Sequence, residues 1–454
     1  MKKKNGFTLV ELLAVIVILA IILVIAVPKI SDTIKNSKIA SFESSAKTIA
    51  AQAEKKKMEN EILDNNNPIN CNNLVKLSNS DYISCSIYFD SSNDALVTLY
   101  GSGKFEGLQI INGTKDSAKA EEIKAPVYGN GVNYVNGLYA YDASSNGLER
   151  DTTSDNNIRY VGANPKNYVR FNDELWRIIG IFNGNVKLVR DDILTTYSFD
   201  NKTTAQGIET DYGTSDWTKS YLREFLNDYY FSGKTITCHS ESATSWVSGL
   251  KATNATIACP DINKINVPAK NMIEKTTWYL GGAYYRTSTD PYETYTVNEL
   301  YQKERGTQVY SGHAINSIDY IGLIYPSDYG YASTDTSCRQ NLRSGLSFVN
   351  NAYSGTPTSV SIEFVQLASF VNNAYSGTPT CQNDNWLYKL ELKHWTISPN
   401  YDTDYGVFTL DNTGLLYTDI PLYRYSVRPS VYLKSNVKIV SGNGTNGEPY
   451  ILEL

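Results

Sequence analysis

Between Phe7 and Val27 every position is apolar except Thr8 and Glu11. About 20 such residues, each rising about 1.5 Å along a helix, cross a hydrocarbon core of about 30 Å. In lipid the helix is also the form in which a single segment satisfies its own backbone. The pattern then changes: Ile30, Ile34, Phe42, Ala46, Ile49 and Ala53 recur near helical spacing among Ser, Thr, Lys and Glu. The two stretches join into one expected helix from about Phe7 to about Ile62, bent at Pro28, whose missing N–H disfavours continuation. Lys2, Lys3 and Lys4 precede the apolar run and predict a cytoplasmic N-terminus, with the rest of the chain exported. A cleaved signal peptide would end in a small-residue site, whereas this run passes through VIAVPKI into more helix-forming sequence.

The Asn-rich segment DNNNPINCNN, with Pro68, ends the helix. LVKLSNSDYISCSIYF and DALVTLYGSGKFEGLQIIN follow as short strand-like runs rich in β-branched and aromatic residues. APVYGNGVNYVNGLYAYDASSNGLERDTTSDNN reads as a loop-rich connection. In NYVRFNDELWRIIGIFNGNVKLVRDDIL, Asn172-Asp173 and Asn183-Gly184-Asn185 separate three alternating runs, which predicts a meander of hairpins. SDWTKSYLREFLNDYYF predicts a helix capped by Ser215 or Asp216, with Trp217, Tyr221, Leu222 and Phe225 as its apolar face. The remaining pieces, from IGLIYPSDYGYAS to YSVRPSVYLKSNVKIV, read mostly as strands, and GNGTNGEPYIL as a turn and a closing strand.

The residues KKKNGFTLVELLAVIVILAIILVIAVPKI resemble the leader and first helix of type IV prepilins and pseudopilins. The resemblance implies a basic leader cut after Gly6 by a prepilin peptidase and N-methylation of the new terminus at Phe7. It also assigns Glu11 as the family's buried glutamate and Pro28 as its helix-breaking proline. An amine at Phe7 inside an apolar bundle needs a partner charge in low dielectric. A neighbouring subunit's Glu11 supplies one, and so sets the stagger between subunits.

The later order W-x3-Y-L-R-x2-L-N, N-W-L…W-T-I-S-P, S-V-R-P-S-V-Y-L resembles a domain of Gram-positive surface proteins. It is also similar to the C-type-lectin-like fold of formylglycine-generating-enzyme relatives, although Ser426 stands where their closing motif has Gly.

The expected class is α+β: a leader at 1–6, a transmembrane and assembly helix at 7–62, a small α+β head at 63–125 and a β-rich, C-type-lectin-like extracellular domain at 126–454. The resemblance implies a structural subunit rather than an enzyme. The large C-terminal part leads us to expect a minor or tip subunit that displays a recognition domain for a carbohydrate or protein at the cell surface. A pseudopilin of a secretion or DNA-uptake apparatus shares the same leader, and a surface enzyme tethered by the helix is a third reading. The implied partners are the peptidase, other pilin or pseudopilin subunits and, before assembly, the membrane.

Composition changes this picture little. A net charge of −6 over 454 residues gives no sign of nucleic-acid binding. The 35 tyrosines suit an exported β-rich protein and offer contact surface, although most are expected to pack. The six cysteines fall as Cys71 and Cys85, Cys238 and Cys259, Cys338 and Cys381. Nearest-neighbour disulfides are expected of an exported head, with free thiols and zinc as alternatives; no C-x2-C spacing or histidine pair supports zinc.

His239, His313 and His394 share no motif, and His394 is expected as a partly buried strand residue rather than a catalytic base. RDDIL and STDP read as solvated turns. Cys338 and Cys381, the late pair that formylglycine-type copper chemistry would need, lack a surrounding motif. No phosphate loop is present, so no cofactor is expected. Thr409–Gly414 and Asp90–Asp94 offer loop oxygens without the order of an EF-hand, which leaves calcium open and assigns no metal. Trp176, Trp217, Trp278, Trp386 and Trp395 are expected in the core. The tyrosines of YGYAS and WYLGGAYYRTSTDPYETY are either core or an exposed recognition surface. SFVNNAYSGTPT at 347–358 recurs at 369–380, either as a tandem duplication in a tolerant loop, as an assembly artefact or as a doubled binding loop.

Overall fold

The computed structural model describes residues 9–64, 69, 71–75, 81–245, 249–284, 294–340, 342–343, 384–389, 393–412, 414 and 416–454. Gly6, Phe7, Cys381 and both copies of the repeat lie outside them. The class is α+β, a long N-terminal helix followed by a β-rich part with several sheets. The chain divides into two compact units, Met1–Pro126 and Val127–Leu454.

In the first unit one helix runs from Leu9 to Ile62 and continues through Pro28. Its later half is the spine of a small fold. Phe42, Ala46, Ile49, Ala50 and Ala53 are buried against an antiparallel sheet in the order 82–89, 95–101, 108–113, 121–122. Ile30 and Ile34, expected on the same packed face, are instead exposed, because the sheet-covered part of the helix begins near Phe42. Glu54 faces this core. It accepts the Ala95 N–H at 3.2 Å and pairs with Lys115 at 2.7 Å, which satisfies a carboxylate that would otherwise be costly to bury. A disulfide joins Cys71 to Cys85 in strand 82–89.

The second unit is built on a ten-stranded sheet whose main path runs 321–322, 430–432, 185–190, 174–182, 168–171, 450–453, 438–441, 129–130. Strand 158–160 pairs with both 148–150 and 174–182. The meander forms as the turn residues predict. Asn172 and Asp173 have φ of 56° and 61°, Asn183 and Gly184 of 49° and 79°, the double positive φ that two-residue hairpins matching strand twist require. A five-stranded sheet follows the order 195–198, 424–427, 394–399, 407–410, 416–419. The five expected core tryptophans are buried, and Cys238 is bonded to Cys259. Cys338 is also disulfide-bonded.

Three expectations give way. The supposed linker contains a helical stretch at Gly131–Asn146, kinked at Asp142, capped by Asn130, whose side chain accepts the Asn133 N–H, and closed by Gly147 at φ 68°. Its Gly, Asn, Val and Tyr residues are weak helix formers, so burial of Val132, Tyr134, Val135 and Leu138 holds it rather than local propensity. The segment around Trp217 is broken rather than continuous. Asp216 caps a short turn at Trp217–Lys219, and Ser220, absent from the expected caps, restarts the chain into a helix at Tyr221–Glu224 and a wider π-helical stretch to Ser232. Finally, Pro326–Tyr331 is helical rather than extended, with Pro326 in its first turn.

Candidate functional site

Two regions concentrate chemistry. The first is the opening of the N-terminal helix. From Leu9 to Val27 the described side chains are apolar except Glu11, and they are exposed on every side: Leu9 is 85% exposed, Ile16 55% and Leu23 58%. At about 1.5 Å per residue this stretch is about 28 Å long, close to the thickness of a hydrocarbon core. A helix apolar all round belongs in lipid or inside a bundle of helices. Glu11 lies in its first described turn, where the helix dipole favours a negative charge. Pro28 sits at the end of the apolar stretch; it donates no hydrogen bond, so the Val24 carbonyl lacks its usual intrahelical donor.

The second region is a cluster of charges buried in the second unit. Arg159 pairs in register with Gly180, and Gly180 with Lys187. Residues directly opposite on neighbouring strands share a face, so two cations stand on either side of a glycine. A Cβ at Gly180 would come within 2.3 Å of the Ile158 carbonyl oxygen, which explains why no side chain stands there. Asp328, in the short helix 326–331, bridges the two cations. Its Oδ1 accepts from Arg159 Nη1 at 3.0 Å, and its Oδ2 accepts from Lys187 Nζ at 2.5 Å and from the Tyr325 N–H at 3.0 Å. Arg159 Nε also bonds Asp151 at 2.7 Å, and Asp151 is further held by Thr153 and Asn157. Lys187 is fully buried, with its ammonium 4.4 Å from the Tyr325 ring centre and 5.4 Å from those of Trp278 and Tyr432.

Beside this pair, Glu304 accepts the Ser327 N–H at 2.8 Å and the Ser327 hydroxyl at 2.5 Å, with Arg305 Nη1 at 3.3 Å. Burial pushes the Glu304 carboxyl up to about 7, against the pull of Arg305. Burial likewise lowers the Lys187 ammonium to about 8 despite Asp328. For Asp328 burial acts upward, but Lys187 and Arg159 together outweigh it and hold the carboxyl below its ordinary value. Three cations and three anions thus meet with little water.

Nothing in the sequence reading pointed to this cluster. Lys187 sits between Val186 and Leu188 in an alternating run, where a lysine reads as the solvent side; the sheet is covered on both faces, so it is not.

The histidines stay apart. His239 stacks on Tyr221, and His313 Nε2 lies 2.7 Å from Asp404 Oδ1. His394, expected as a partly buried strand residue, is buried in strand 394–399, and burial lowers its pKa to about 3. Asp191 of RDDIL is not merely solvated; it pairs with Lys389 at 3.2 Å. Tyr329 and Tyr331 of YGYAS, and Trp278 and Tyr295, are core residues, whereas Tyr279 and Tyr284 of the longer segment are partly exposed. Asp90 spends Oδ1 on the Ser92 and Asp94 N–H groups of its own turn. Among the described residues no three His, Cys, Asp or Glu side chains are grouped to hold a metal.

Residues 1–27 match the family model described as the prokaryotic N-terminal methylation motif. No curated protein and no solved structure matches the chain. The motif implies processing by a prepilin peptidase and assembly with other pilin subunits. Together with the exposed apolar helix, it gives this chain a type IV prepilin-like N-terminus, as in pilins and pseudopilins.

Proposed function

We propose that the chain is a non-enzymatic minor or tip subunit of a type IV filament, with unit 127–454 as an adhesive or recognition domain for a carbohydrate or protein. The observation that carries this reading is the helix that is apolar on every side with one carboxylate in its first turn. Cleavage after Gly6 frees the Phe7 amine, which is then N-methylated, and in a bundle of such helices the Glu11 carboxylate of the next subunit takes up its charge. The size of the second unit favours a minor or tip position, since a head this large packs poorly along a shaft.

The test is N-terminal peptide mass spectrometry of the protein from its native cells, with immunogold labelling of surface filaments. A chain that begins at N-methylated Phe7, with label at filament ends or at sparse points, is the expected result. A chain that retains Met1–Gly6 overturns the processing. A processed chain that never labels filaments moves it to a secretion or DNA-uptake apparatus.

A further inference from the structure

We propose that Lys187 and Asp328 become joined inside the folded second unit by an amide bond between Lys187 Nζ and Asp328 Cγ, formed by condensation of the two side chains. This goes beyond the filament role and does not depend on it. The geometry is that of a held reactant pair. Lys187 Nζ lies 2.5 Å from Asp328 Oδ2, and both side chains are buried. Each is fixed from behind, Lys187 by a strand paired on both sides and Asp328 by the Tyr325 N–H and Arg159. Groups positioned in this way react with effective molarities on the order of 10⁵–10⁸ M.

The step balances without a co-reactant. A proton passes from the ammonium to Asp328 Oδ2, giving a neutral amine and a neutral acid. The amine lone pair adds to Cγ, and the new C–N bond leaves negative charge on Oδ1, where Arg159 Nη1 already donates. The nitrogen gives a second proton to Oδ2, the Cγ–Oδ2 bond breaks and one water leaves. The ammonium and carboxylate together become amide plus water, so no net proton is exchanged. Arg159 acts in both directions: it disfavours the acid form of Asp328 and stabilises the oxyanion that follows.

Two features favour the product. Burial already draws the Lys187 ammonium toward its neutral, nucleophilic form. Condensation also removes one positive and one negative charge from a cluster of three each, leaving Arg159 with Asp151 and Arg305 with Glu304 still paired. The desolvation cost of two buried ions is relieved without leaving any charge alone. The bond would staple strand 185–190 to helix 326–331, 141 residues apart in sequence.

Intact and tryptic mass spectrometry of the full chain, purified folded in detergent and then reduced and denatured, tests this. The expected result is a mass one water below that of the same chain uncondensed, a cross-linked peptide pair joining Lys187 to Asp328, and no tryptic cleavage after Lys187. Lys187→Arg keeps the charge but lacks the amine, and should show the full mass. A wild-type chain at full mass that is cleaved after Lys187 overturns the proposal. So does a water loss that persists in Lys187→Arg or maps to another site.

Discussion

Glu304 makes the stability of the second unit depend on pH in a direction opposite to that of Asp151 and Asp328, whose cationic partners hold them below the ordinary carboxylate range. Its pKa is raised from 4.5 to about 7 because burial penalises the charged form more than Arg305 and Ser327 reward it. Between those two values the folded chain holds a proton that the unfolded chain has released, so stability falls as pH rises through the window. At about 1.4 kcal/mol per pH unit, ionised Glu304 costs the fold on the order of 3 kcal/mol above pH 7.

His394 works the other way. Its pKa falls from 6.5 to about 3, so its contribution is present above 6.5 and is lost as pH falls. The two effects oppose each other between 4.5 and 6.5, and the raw pH profile of the wild type is therefore uninformative. The comparison with Glu304→Gln removes the overlap, because His394 is common to both chains. Denaturant unfolding of the detergent-solubilised full chain can be followed by tryptophan fluorescence. All six tryptophans lie in the second unit, so the signal reports that unit alone. The stability of Glu304→Gln relative to wild type should rise by about 3 kcal/mol from pH 4.5 to pH 8. A difference that is flat with pH, or that moves against the variant, would show that Glu304 is ionised throughout, and would refute the assignment of its burial cost.

The same fluorescence transition checks three further variants. Asp328→Ala leaves the buried Lys187 amine with no carboxyl to pair or condense with and takes an acceptor from Arg159, and should lower stability by about 3–5 kcal/mol. Replacing Lys187 by Met as well should recover part of that loss. Gly180→Ala drives a methyl group against the Ile158 carbonyl and should cost about 1–3 kcal/mol, with strand 158–160 displaced. In the first unit, Glu54→Ala orphans the buried Ala95 N–H and frees Lys115, for about 1–3 kcal/mol. Faster hydrogen exchange at Ala95, with the fluorescence transition unchanged, is the expected readout. Glu11→Ala should leave membrane insertion and processing intact while abolishing incorporation into filaments; normal incorporation would remove the docking role.

What could be read from the chain in advance was what local chemistry determines. Nineteen apolar residues broken only by Thr8 and Glu11 are meaningful wherever they occur, because the solvent they require is visible in their composition. Asn172-Asp173 and Asn183-Gly184 likewise announce hairpins because few residues tolerate positive φ. The helix at 131–146 was hidden because its residues prefer other conformations, and only the sheet it covers makes them helical. Ser220 was hidden among several equally good caps, where the chain uses two in succession.

The charged cluster was the least legible of all. Arg159, Lys187, Glu304 and Asp328 come from two strands and two helices scattered over the second unit, and each alone reads as a surface residue. Their meeting depends on Gly180, whose lack of a side chain lets the backbone of strand 158–160 approach closely, and on the helical turn that brings Asp328 to both cations. A buried charge is affordable only when its partners arrive from elsewhere in the fold, so the signal for it resides in the pairing and not in any one segment. For the same reason the cluster is where this chain can carry out chemistry that its linear motifs do not announce.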